Sequence, residues 1–121
     1  MKKLFVLVSV FCLLSLGISS SVYAWTTNPV RSVSSGEQTA DATVVSGTCY
    51  IVSVLVVTDG TNDAKLVLKA GGSGGTVQYE TTVIGSDHYG GRLWTFPVEF
   101  VTDCYADVTG TGASYIVEYL K

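Results

Sequence analysis

From residue 42 onward the chain is a succession of short stretches rich in Val, Ile, Leu and aromatic residues, each closed by Gly, Ser, Asn or Asp. That punctuation admits few folds. Residues 64–70 alternate, with Leu66 and Leu68 on one side and Lys65, Val67 and Lys69 on the other, the period of a strand with one buried face. Residues 76–84 place Val77, Tyr79, Thr81 and Val83 on one face, opposite Gln78, Glu80 and Thr82. In residues 92–101, Trp94, Phe96, Val98 and Phe100 share the expected core face, and Pro97 marks an edge or bulged strand because it has no N–H for a ladder. Residues 50–58 lack polar alternation, which predicts a central strand covered on both faces. Shorter segments at 42–45, 104–108 and 114–120 bring the set to about seven strands, and no segment has competing helical periodicity. The expected fold class is all-β: a single β-sandwich or jelly-roll-like domain spanning 42–121.

The first 24 residues read differently. Lys2 and Lys3 are followed by a nearly uninterrupted apolar run over residues 4–18, and Val22-Tyr23-Ala24 offers small residues where a signal peptidase cleaves. The run is short for a spanning helix, which needs roughly 20 residues. Residues 1–24 are therefore expected to be a signal peptide cleaved after Ala24, giving an extracellular or cell-surface protein that starts at Trp25 and has no membrane span in its mature form. Removing 24 of the 121 residues leaves 97, enough for one domain.

Of three cysteines, Cys12 leaves with the signal, and Phe11 before it is too large for a lipoprotein attachment site. Cys49 and Cys104 remain as one pair in an oxidising compartment, so a Cys49–Cys104 disulfide is expected. Such a link would contribute roughly 4 kcal/mol through the entropy of the unfolded chain.

Lys2 and Lys3 also leave, so five basic residues stand against ten acidic ones, a mature net charge of −5. The five are scattered along the chain, which argues against nucleic acid or an anionic membrane as partner, since both require clustered Lys and Arg.

Residues 25–41 are polar, contain Pro29, and have Trp25, Val30 and Val33 as apolar anchors. They read either as a loosely ordered terminus or first edge strand, or as an arm that adds to a neighbouring subunit's sheet edge through those three residues.

Chemistry is sparse. The single histidine, His88, sits in the loop 85–91 beside Asp87, with no serine in a Gly-x-Ser-x-Gly elbow, so it reads as an exposed loop residue rather than a catalytic base. One histidine and two paired cysteines do not make a zinc site. Asp59, Asn62, Asp63, Asp103 and Asp107 offer oxygens for calcium without the spacing of an EF-hand, and turn formation explains them more simply. Gly71-Gly72-Ser73-Gly74-Gly75 precedes a strand and lacks the lysine of a phosphate loop. No catalytic residue, metal ligand or cofactor is therefore assigned. Tyr50, Tyr89 and Tyr105 are candidates for outward-facing aromatics that cover the sheet, bury at an interface or stack on a sugar. Residues 114–120 are apolar on both sides and are expected to be buried in their own domain or in a partner.

Three segments carry a resemblance: Ser46-Gly47-Thr48-Cys49 opening a hydrophobic strand; Leu66-Val67-Leu68 before the turn that ends in Gly74-Gly75-Thr76; and Tyr105-Ala106-Asp107-Val108-Thr109-Gly110-Thr111-Gly112 before a last strand ending in Glu118-Tyr119. With these the chain resembles small β-sandwich structural proteins of tailed-phage virions, the head-decoration and fibre-like components. The resemblance implies a non-catalytic assembly or surface role. Together with the residue-level reading, it predicts an exported structural protein, not an enzyme, that forms a homo-oligomer or polymer through β-sheet edges, as a filament, surface layer or virion-like component. The alternative is a small extracellular ligand- or carbohydrate-binding module.

Overall fold

A computed structural model describes residues 31–121. The expected signal peptide and two of the expected assembly anchors, Trp25 and Val30, lie outside the described residues. The described chain forms eight strands: β1 (Val33–Ser34), β2 (Ala42–Ser46), β3 (Cys49–Val57), β4 (Ala64–Ala70), β5 (Thr76–Val83), β6 (Tyr89–Phe100), β7 (Asp103–Thr109) and β8 (Ser114–Leu120). They pair antiparallel in two four-stranded sheets, with order β1-β8-β3-β6 in sheet 1 and β2-β7-β4-β5 in sheet 2. The architecture is the expected β-sandwich. The eighth strand is β1, inside the segment read as a polar arm.

The chain crosses between sheets at most of its turns, and only β4 and β5 form a sequential hairpin. Gly47 makes the second crossing, between β2 and β3, with φ +84, a conformation that glycine adopts without steric cost. Gly110 does the same after β7 with φ +128, and there a Cβ would run into the carbonyl of Asp63.

Inward-facing residues of both sheets make one core. Ile51, Val54 and Val56 of β3 and Tyr115 and Val117 of β8 meet Leu66 and Leu68 of β4 and Ala106 of β7. Leu66 and Leu68 are fully buried, as their alternation predicts, while Lys65, Val67 and Lys69 lie on the opposite face.

Three expectations about faces are corrected. In β5, Gln78 is an extra residue, because the register with β4 passes from Leu68↔Tyr79 to Lys69↔Val77. A one-residue shift reverses a strand's faces, so Val77 departs from Tyr79 and Val83 and is 51% exposed. In β6 the register with β3 steps from Ile51↔Val98 to Ser53↔Leu93, leaving three additional residues on β6. This wide bulge around Pro97 keeps Trp94 and Val98 against the core and Phe100 inside it, but turns Phe96 out to 85% exposure. Finally, β3 is central in sheet 1 but among the described residues is covered on its inner side only. Tyr50 and Leu55 are exposed on the outer side.

The segment before β2 belongs to the sandwich. Val33 and Ser34 pair with Tyr119 and Glu118, Ser35 N–H donates to the Val117 carbonyl (2.8 Å), and Gln38 exchanges two backbone hydrogen bonds with Tyr115 (2.9 and 2.8 Å). The Val117 N–H donates to Ser35 Oγ (2.9 Å), the Tyr115 hydroxyl to the Ala40 carbonyl (3.1 Å), and the Val108 N–H to Asp41 (2.7 Å). Residues 33–41 thus cap the outer edge of β8 and cross to sheet 2.

Candidate assembly surface

The two outer faces of the sandwich have opposite character. On sheet 2, Lys65 pairs with Glu80 (2.9 Å) and Lys69 with Asp107 (2.7 Å), so the face is polar and its charges are matched. On sheet 1 the register sets Leu55 between Ile116 and Gly91, Val57 between Ser114 and Tyr89, and Ser53 between Glu118 and Leu93. Apolar side chains dominate the first two rows, and in the third the Ser53 hydroxyl donates to Glu118 (2.9 Å). Leu93 is 74% and Tyr89 68% exposed.

The apolar surface runs to the edge of β6, which no other strand among the described residues pairs. Sheet 1 ends there, and sheet 2 ends at β5 on the same side of the sandwich, where Tyr79 and Trp94 meet edge to face (centroids 4.8 Å apart, 77° between planes). The Arg92 guanidinium lies 5.7 Å from the Trp94 ring centroid, a cation–π distance. Trp94 thereby closes the corner between the sheets and fixes the root of the bulge that presents Phe96. Bulges and prolines commonly protect an edge from ladder pairing. Here the bulge exposes Phe96, and Leu93 is exposed on the outer face in the row of Ser53. A charge of each sign flanks them, Arg92 on one side and Glu99 on the other, with Glu99 accepting from the Tyr50 hydroxyl (3.1 Å). That contact and the adjacent negative charge raise the Tyr50 pKa.

The opposite side of the sandwich is closed by the residues that cap β8. A shallow cleft of about 180 Å³ remains there, lined by Ser34, Ser35, Gln38, Thr43 and Tyr119 among others. Val33, the described member of the expected assembly set, sits in β1 with 47% exposure and its backbone already paired to Tyr119.

Three of the four aspartates weighed as calcium ligands accept from backbone N–H groups, and the fourth, Asp107 of β7, pairs with Lys69. Asp59 accepts from the backbone and side-chain N–H groups of Asn62 (2.7 and 2.8 Å) and from Thr61 N–H (2.8 Å), and these donors hold its carboxyl below the usual range. Asp63 accepts from Gly85 N–H (2.9 Å), and Asp103 from Gly71 and Gly72 N–H (2.6 and 3.1 Å), pinning the glycine-rich β4–β5 turn. Among the described residues no three His, Cys, Asp or Glu side chains gather as metal ligands. His88 is exposed in a positive-φ turn (φ 63), and its carbonyl accepts from Thr58 N–H (2.8 Å). Among the described residues no helix is long and apolar enough to cross a membrane.

Cys49 of β3 and Cys104 of β7 enter the core from opposite sheets, both fully buried, and both are free thiols in this structure, without the expected bond. Desolvation raises both thiol pKa values, that of Cys104 to about 12 with a further contribution from Cys49. Of the three tyrosines expected to face outward, Tyr50 and Tyr89 are exposed and Tyr105 is half-buried.

No protein-family model, curated protein or solved structure matches the chain.

Proposed function

We propose that the chain is an exported, non-catalytic structural protein that self-associates through its β-sheet edges into a filament, surface layer or virion-like component. The observation that carries this reading is the free β6 edge, where Leu93 and Phe96 stand in solvent on a strand whose neighbours bury Trp94 and Phe100. Large apolar side chains grouped at a surface mark interaction sites. In this reading the signal is removed after Ala24 on export, Trp25 and Val30 join Val33 as the arm's contacts with a neighbouring copy, and Cys49 and Cys104 oxidise to a disulfide that ties β3 to β7 across the core. The resemblance to small virion sandwiches points the same way.

Electron microscopy of the mature protein, residues 25–121, tests the reading. Ordered filaments, layers or rings are expected. Dispersed monomers would overturn it in favour of a small extracellular binding module, for which the polar cleft beside Tyr119 is the candidate ligand site.

A further inference from the structure

We infer that the Cys49–Cys104 bond is made while the chain is still unfolded and that closure of the sandwich then seals it, so that a protein folded as the dithiol is closed to disulfide oxidants. The inference rests on the disulfide proposed above and adds the stage at which it forms. Strand register places the pair at one end of the sandwich. In sheet 1 Cys49 lies opposite Phe100, and in sheet 2 Cys104 lies opposite Val45. The chain runs from Val45 to Cys49 through the β2–β3 crossing and from Phe100 to Cys104 through the β6–β7 crossing, so the four residues form a square with one cysteine in each sheet. The Thr48 hydroxyl donates to the Val101 carbonyl (2.7 Å) and ties one crossing to the other. Cys49 and Cys104 are 0% exposed, and their partners Phe100 and Val45 are buried with them.

Thiol–disulfide exchange needs more room than this. One cysteine thiolate attacks a sulfur of a small disulfide such as oxidised glutathione, releases one glutathione thiol and leaves a mixed disulfide; the second cysteine attacks that intermediate and releases the other. Two electrons pass from the cysteine pair to the oxidant, and the two protons end on the two glutathione thiols. In the folded protein neither sulfur is open to attack, and a tripeptide carried on either one would have to share a core already occupied by Val45, Phe100 and Tyr115. Burial also disfavours the thiolate that begins the exchange. None of these obstacles exists in the unfolded chain. The oxidant therefore has to meet the chain before the two sheets close, and the same closure shields the finished bond from reductants.

The mature protein, residues 25–121, reduced in urea and then divided, tests the order. One portion receives oxidised glutathione in urea and is then refolded; the other is refolded first and then receives the same oxidant. Bond formation is followed by unfolding quenched samples in an alkylating reagent and measuring intact mass, with circular dichroism reporting the fold. The first portion is expected to form the bond and keep it. The second is expected to oxidise at least about a thousandfold more slowly, because a domain of ordinary stability spends less than about one part in a thousand of its time unfolded. A reduced chain that does not refold at all would equally place oxidation before folding. A folded dithiol that oxidises at nearly the rate of the unfolded chain would overturn the order and leave the disulfide standing. A chain that refolds without the bond after oxidation in urea would overturn the disulfide, and the order with it.

Discussion

Phe96 and Phe100 stand four residues apart on β6, at positions that simple alternation would send to the same face, yet Phe96 is 85% exposed and Phe100 is 1% exposed. The extra residues between Ser53↔Leu93 and Ile51↔Val98 separate them. One consequence is energetic. Phe100→Ala should cost about 3–5 kcal/mol by opening a cavity at the end of the core, while Phe96→Ser should change monomer stability by less than about 0.5 kcal/mol. Urea denaturation of both variants at low protein concentration checks the pair, and a large loss for Phe96→Ser would mean that its ring is buried in the monomer.

One of the hydrogen bonds that hold the cap on β8 comes from a side-chain hydroxyl. Tyr115 is fully buried and its hydroxyl donates to the Ala40 carbonyl, with Gln38 bonded to the Tyr115 backbone nearby. Tyr115→Phe keeps the ring and removes the hydrogen bond, so a loss of about 1–2 kcal/mol is expected. Hydrogen exchange should speed up first at Ser35 and Gln38, whose amides pair with β8. Unchanged exchange at both amides would show that residues 33–41 are held by other contacts.

The two thiols predict a pH dependence with a definite sign. Burial raises Cys104 from its ordinary 9.0 to about 12 and Tyr115 from 10.0 to about 12, with Cys49 raised as well. The folded protein therefore retains protons that the unfolded chain releases, and stability is fully present below about pH 9 and lost as pH rises toward 12. Each such group contributes a slope of up to about 1.4 kcal/mol per pH unit inside its window. In the oxidised protein the thiol contributions vanish, leaving Tyr115 and Tyr50, so the onset should move up from about pH 9 to about pH 10. Urea midpoints measured against pH, with and without reductant, read this directly. Identical curves, together with reactive thiols in unfolded exported protein, would contradict the proposed disulfide.

Much of this arrangement is legible in the sequence, and the failures share a cause. The β4 faces follow from Leu66 and Leu68 against Lys65 and Lys69, because an uninterrupted strand obeys a period of two. Val77 and Phe96 escape that reasoning because bulges at Gln78 and around Pro97 break the period. Pro97 signals that a bulge is possible, but its size depends on a register with β3 that no local pattern encodes. Likewise, Val33, Ser35 and Gln38 hold β8 mainly through the backbone, and backbone pairing leaves little imprint on side-chain composition. The apolar outer side of β3 is readable as hydrophobicity; that nothing among the described residues covers it follows only from the sheet order.

The β6 edge is proposed to bring copies of this chain together. Sedimentation velocity of the mature protein, residues 25–121, over a wide concentration range tests it most directly. The sedimentation coefficient is expected to rise with concentration in the parent protein and to stay at the monomer value over the same range when Leu93 and Phe96 are both serine. A parent protein that sediments as one unchanging monomer throughout would contradict it.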